Sequence, residues 1–308
     1  MTVKPFSRRR RLRYRPGSVS GGALAAFLLP FFVPFVLFYL APVVYAVYQS
    51  LLTIERGDGM FGERRMVFGG LTQYVAVLGD TEFWAGLGRV ALFGIVQVPV
   101  MLALALGIAL LLDSGAVKHT AFFRLAPFAP YAVPGVIAAI IWSYFYHPQL
   151  SPIVEAFASI GVDVDFFSAD IIILSLANIS TWLWTGYNML IILSSLQAIP
   201  QEIYEAARLD GASELQVAPR IKVPMVRSAL AMTLVLSIIG TAQLYTEPSV
   251  MQSIAPSISS TFTPNMMAYS LAAGNEYPKS AALAVIIAVI SFALSFGVLK
   301  FQQRRMAQ

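Results

Sequence analysis

The 308-residue chain contains no cysteine, two histidines and only 12% charged residues. The missing thiols exclude disulfides and thiolate metal sites and leave the redox compartment undetermined. The charge content is about half the roughly 25% of an ordinary soluble protein. With 57% hydrophobic residues and a mean hydropathy of +0.71, it points to a membrane protein. Catalytic signatures are missing too: there is no Gly-x-x-x-x-Gly-Lys loop to cradle phosphates, no His-Glu-x-x-His, and no nucleophile and base pair. His119 and His147 stand alone in loops, so neither a metal site nor a catalytic residue is expected.

Ionisable groups are equally scarce inside the apolar segments. Their cores hold no Asp, Glu, Lys or His, and only Arg89, Arg124 and Glu247 approach the edges. Ion-coupled carriers and voltage sensors place such groups at membrane depth despite the cost; this chain has no evident way of coupling to an ion gradient. The same scarcity of cations disfavours a tightly held anionic solute.

What the chain does have is six apolar stretches, near 24 to 48, 85 to 112, 122 to 146, 171 to 197, 226 to 246 and 281 to 300. The pattern is clearest in the second, fourth and sixth. About 20 apolar residues as helix suffice to span hydrocarbon, where no water satisfies open backbone groups. Lys and Arg then set the orientation. Lys4, the run from Arg8 to Arg15, Lys118, Arg124, Arg208, Arg220, Lys222, Arg227, Lys300, Arg304 and Arg305 fall on one side, and only Arg56, Arg64, Arg65 and Lys279 on the other. Both termini are therefore expected in the cytoplasm. The net charge of +5 is explained by this asymmetry and does not argue for nucleic acid. The basic N-terminus before an apolar run looks like a signal peptide, but the run is too long and lacks a small-residue cleavage site, which favours an uncleaved anchor.

The expected organisation is a basic N-terminus (1–23), an anchor helix (24–48) kinked by Pro30, Pro34 and Pro42, and an external loop (49–84). A membrane domain (85–303) and a short tail (304–308) follow. In the loop, Phe68-Gly-Gly-Leu-Thr-Gln-Tyr74 and Phe83-Trp84 suit either a lid or docking patch, or aromatic anchoring at the interface. Glycines and alanines along the second segment allow close helix approach. Pro127, Pro130 and Pro134 should break or bend the third, leaving carbonyls that line either a wet cavity or a packed kink. The fourth carries Asn178, Ser180, Thr181, Trp182, Trp184, Tyr187 and Asn188, and the fifth adds Thr241 and Gln243. Aromatic faces beside amides and hydroxyls suit a neutral polyol; interhelical hydrogen bonding with an aromatic belt is the alternative.

Between the fourth and fifth segments lies Glu205-Ala-Ala-Arg-Leu-Asp-Gly-Ala-Ser213. Pro200 is pre-set for a first helical turn, Glu202 favours the positive end of the helix dipole, and Gly211 can adopt the left-handed stop. Ser213-Glu-Leu-Gln216 has the form of a capping box, after which Pro219 should end the second helix. The expected product is a cytoplasmic elbow over 200–224.

Here the sequence resembles the permease subunits of bacterial ABC importers, whose signature runs Glu-Ala-Ala, three residues ending in Asp, Gly-Ala, and downstream Ile-x-Leu-Pro. The matching residues are Glu205, Ala206, Ala207, Asp210, Gly211, Ala212, Ile221 and Pro224. Leu196-Gln-Ala-Ile-Pro200, Phe68-Gly-Gly-Leu71 and Arg124-Leu-Ala-Pro127 are similar to the carbohydrate-uptake branch, of the maltose and glycerol-phosphate type. Ala218 stands where an aromatic is usual, Val223 replaces Leu, Ser228 replaces a second Pro, and Tyr245-Thr-Glu-Pro248 replaces Gly-Gly-Pro.

The resemblance implies an all-α membrane protein of six transmembrane helices, the MetI-like bundle of type I importers with a cytoplasmic coupling helix, in a bacterial cell membrane. It implies a second homologous permease, an ABC ATPase dimer that uses ATP and magnesium, and an external solute-binding protein; this chain itself would bind no cofactor. Glu205 would contact a basic group on the ATPase, with Ile203, Ala206, Ala207 and Leu209 supplying apolar contact. A sugar or sugar derivative would pass Gly186, Tyr187, Asn188, Thr241 and Gln243. The competing readings are a stand-alone secondary carrier or channel, which would need no ATPase, and an intramembrane enzyme, which would need a catalytic constellation at depth.

Overall fold

A computed structural model describes residues 21–56, 64–115 and 117–306. The basic cluster from Lys4 to Arg15 and the last two residues lie outside them. The first contact unit, 1–46, contains α1 (Gly21–Phe35), a π-helical turn (Val36–Leu40) and the start of α2 (Ala41–Ser50). The chain passes Pro30, Pro34 and Pro42 without leaving helix. The irregularity falls at Val36–Leu40, where a π-turn takes up the hydrogen bonds that prolines cannot donate.

In the second unit, the expected polar loop is folded. β1 (Leu52–Arg56) pairs antiparallel with β2 (Arg64–Phe68), placing Leu52 opposite Phe68. α3 (Thr72–Leu78) follows, and α4 (Thr81–Asp113) begins earlier than expected, because the Asp80 side chain caps it by accepting from the Glu82 N–H at 3.1 Å. Phe83 is consequently fully buried beside Val77 and Leu283 and cannot form an external patch. Trp84 stays exposed and donates its indole N–H to Leu78 O at 2.8 Å.

The third apolar stretch is broken, as its prolines require. α5 (Thr120–Phe128) runs through a 3-10 turn (Ala129–Ala132) and meets α6 (Gly135–Tyr146) at a 97° bend by Pro134. α7 (Pro152–Ser159) leads to α8 (Ile172–Gln197), and α9 (Gln201–Leu209), α10 (Glu214–Val217) and α11 (Val223–Met225) form the elbow region. α12 (Arg227–Ala242), α13 (Thr246–Met251), α14 (Pro264–Ala273) and α15 (Tyr277–Met306) complete the described chain. Two short helices, α13 and α14, thus lie between the fifth apolar stretch and the last helix.

Four helices among the described residues are long and apolar enough to cross a membrane: Leu24–Ser50, Thr81–Asp113, Arg227–Met251 and Tyr277–Lys300; the bent pair makes a fifth if it is one span. α8 is not among them, although its 26 residues reach about 39 Å. Its polar content is accounted for by burial: 14 of those residues are buried, including Ser175, Ser180, Thr185 and Asn188. A helix enclosed by protein need not be apolar all round.

α4 and α8 pack in parallel along most of their length. Toward one end, Phe93 of α4 joins Ile179 and Leu183 of α8 in a core shared with Met251 and Phe262. Toward the other, Ala105, Ala109 and Leu112 meet Met189, Ile192, Leu193 and Leu196, and the same cluster takes in Tyr204, Ala207 and Val217 of the elbow. The elbow is therefore seated on the hydrophobic core.

Candidate functional site

Two features concentrate the polar chemistry. One is a cavity of about 310 Å³ lined from α4, α8, α12 and α13. Tyr187, Asn188, Thr241 and Gln243 all line it, joined by Gln97, Trp184, Ser237 and Glu247. Trp184 and Tyr187 meet edge-on, centroids 6.0 Å apart, and Tyr131 from the broken span stacks on Tyr187 at 4.9 Å. Asn188 is 3% exposed; its amide nitrogen donates to Trp184 O at 3.0 Å.

Gly186 does not belong to this wall. It faces α5, and a Cβ there would come within 2.6 Å of Phe128 Cα and closer still to the Pro127 carbonyl. Only a residue without a side chain lets the two backbones approach so closely. Its role is helix packing, and the pathway expectation for it is corrected. Glu247 is also displaced from its expected place at a segment edge: it lies inside the Arg227–Met251 span and on the cavity.

The second feature is the elbow. Pro200 occupies the N-cap of α9 rather than its first turn. Gly211 adopts φ +79°, the left-handed stop, and Gln216 Oε1 accepts from the Ser213 N–H at 2.9 Å, completing the capping box. Pro219 does not end the helix. The backbone widens into a π-turn over Ala218–Lys222 and continues to Met225, a register in which the absent proline N–H is tolerated.

Glu205, Ala206, Asp210, Gly211 and Pro224 are exposed, whereas Ala207 is buried and Ala212 and Ile221 are half-buried against the core. Ala207 and one side of Ile203 therefore pack the elbow onto its own protein. The outward apolar surface comes from Leu209 and Leu215, 89% and 88% exposed. Leu215 was not foreseen as part of that surface, although its place within the capping box between Glu214 and Gln216 was a usable signal.

An ion cluster, buried at Lys222 and Asp113 and exposed at Glu214 and Arg208, ties the elbow down. Lys222, 4% exposed, lies 2.9 Å from Asp113 Oδ2 at the end of α4 and 3.3 Å from Glu214 Oε2, with its ammonium 5.0 Å from the Tyr204 ring centroid. The contact with Asp113 is an ion pair rather than an aligned hydrogen bond. Arg208 pairs with the other Glu214 oxygen at 3.0 Å. Hydrogen bonding from Arg208, followed by the pull of Lys222, holds the Glu214 carboxyl below the usual carboxylate range against some desolvation. Burial, then Asp113 and Glu214, push the Tyr204 hydroxyl up to about 12. From the sequence Lys222 served only for orientation, because its buried partner Asp113 comes from a distant helix.

The family described as binding-protein-dependent transport system inner membrane component matches residues 13–308. The chain belongs to this family. It is similar to a lactose transport system permease of Rhizobium radiobacter, 29% identical with 88% of this chain and 90% of that protein covered. It is also similar to a trehalose/maltose transport system permease of Thermococcus litoralis, 27% identical with 93% and 95% covered. Among solved structures, a chain of a bacterial ABC transporter importing the acidic polysaccharide alginate has the same fold, with a TM-score of 0.77 at 18% identity over 92% of this chain and 96% of that one. The chain is a membrane transport component, and its family is not that of a catalytic subunit.

Proposed function

We propose that this permease forms half of the translocation pathway for a sugar or sugar derivative and is driven by a separate ATPase dimer gripping the elbow. A second, homologous permease supplies the other half, and an external solute-binding protein delivers the solute. In this reading α8 is a sixth span enclosed by its neighbours, the elbow is the coupling helix, and both termini are cytoplasmic. No cofactor is held by this chain; ATP and magnesium belong to the ATPase.

The observation that carries the solute class is the cavity wall, where Trp184 and Tyr187 stand beside Asn188, Gln97 and Thr241. Aromatic faces match the apolar faces of a sugar ring, and amides and hydroxyls match its hydroxyl groups. The saccharide permeases among its relatives support the same reading. Reconstitution of the complete transporter in proteoliposomes tests it. Uptake of a labelled disaccharide should require ATP, the ATPase dimer and the binding protein together, and uptake by this chain alone would overturn the proposal.

A further inference from the structure

The cavity wall carries amides, hydroxyls and one carboxylate, and no cation. Its lining contains no Lys, Arg or His, and its carboxylate is Glu247. No basic side chain forms an ion pair with Glu247 among the described residues. Asn188 adds a second acceptor. Its amide nitrogen is committed to the Trp184 carbonyl, which fixes the orientation of the group because a carbonyl accepts only from the nitrogen. That leaves Asn188 Oδ1 buried without a partner. Ser237 points the same way: its hydroxyl donates to Thr233 O at 2.7 Å, so it presents lone pairs to whatever enters.

We propose that Glu247 and Asn188 make this pathway a charge filter, which admits neutral and amino-bearing saccharides and rejects those carrying carboxylate or phosphate. The inference rests on the proposed sugar function and adds its charge class. Asn188 Oδ1 is sealed from the cavity in this structure, so a hydroxyl or ammonium reaches it by displacing a neighbouring group, and a buried acceptor gains most when such a donor arrives. An ammonium is further attracted by Glu247 and by the faces of Trp184 and Tyr187. A carboxylate or phosphate brings more acceptors and a like charge into a space of low dielectric, where repulsion is strongest. The alginate importer of the same fold takes an acidic polysaccharide, so the shared bundle does not dictate solute charge; lining residues do.

The absence of cysteine makes the test direct. In the complete transporter, Gln243→Cys places this chain's one thiol on the cavity wall. Labelling of this chain by cationic trimethylammonioethyl and anionic sulfonatoethyl methanethiosulfonate is then followed by intact mass. The cation-to-anion rate ratio should exceed that of a free thiol, fall about tenfold in the E247Q background, corresponding to ~1.4 kcal/mol, and invert with E247K. In parallel, binding of a neutral, an amino and a uronate disaccharide is measured on the transporter without its binding protein. E247Q should raise uronate binding relative to neutral, and Asn188→Leu should weaken neutral binding about tenfold.

An unchanged labelling ratio in E247Q, or unchanged uronate discrimination, overturns the filter. If no disaccharide of any charge binds while the ratio still falls with E247Q, the sugar reading fails and the filter stands. The two failures are therefore distinguishable.

Discussion

At Gly186 the requirement is for nothing at all, since the α5 backbone occupies the space that a side chain would need. Gly186→Ala should destabilise the protein by about 2–3 kcal/mol, because the obstacle is backbone and cannot rotate away, while the cavity's charge preference is retained. Thermal unfolding of the purified chain checks the first expectation and the labelling ratio the second. The sequence showed a glycine among aromatics and amides, which reads equally as lining or as packing; the deciding atom, the Pro127 carbonyl, comes from another helix. Tyr187, Asn188, Thr241 and Gln243 were legible as lining because polar groups in an apolar stretch need a wet or hydrogen-bonded neighbour. Glu247 was visible but placed too far outward, since the hydropathy pattern does not show that α13 continues the α12 span and brings this residue into the cavity wall.

At the scale of elements, the elbow was the most legible part. Pro200, Gly211, Ser213 and Gln216 act through local backbone chemistry, so their spacing alone locates the two short helices. The attachment of the elbow was not legible, for it depends on Asp113 at the end of α4 meeting Lys222. Breaking a buried pair by removing one partner strands the other charge. Lys222→Met should therefore cost about 3–5 kcal/mol, and adding Asp113→Leu to that variant should recover most of the loss. A thermal-melt cycle over the two single variants and the double measures the coupling. Additive losses would mean that the pair contributes little. The hairpin β1–β2 was missed because each strand has only five residues, and β2, Arg-Arg-Met-Val-Phe, lacks the alternation of a half-buried strand and covers only Val67 in part.

At the scale of the whole molecule, the proposed mechanism requires the elbow to pass a partner's movement to the cavity. Gly211 sits at φ +79° with open space around it, so Gly211→Val strains the turn without a clash. Membrane insertion and solute binding should persist while ATP-dependent uptake falls at least about tenfold, as expected for ~1.4 kcal/mol or more of strain; proteoliposome transport beside a binding assay separates the two. Normal uptake would show that the bend does not carry the coupling. The route inward is α4, whose capping residue Asp80 pairs with Lys279 at 3.2 Å and whose last residue, Asp113, pairs with Lys222 at 2.9 Å. A rod of 33 residues, about 50 Å long, is thus bolted at both ends like a girder. Both pairs oppose sliding or spinning of α4 about its own axis, so articulation is expected at joints elsewhere: the left-handed bends at Gly115 and His119 and the sharp corner by Pro134.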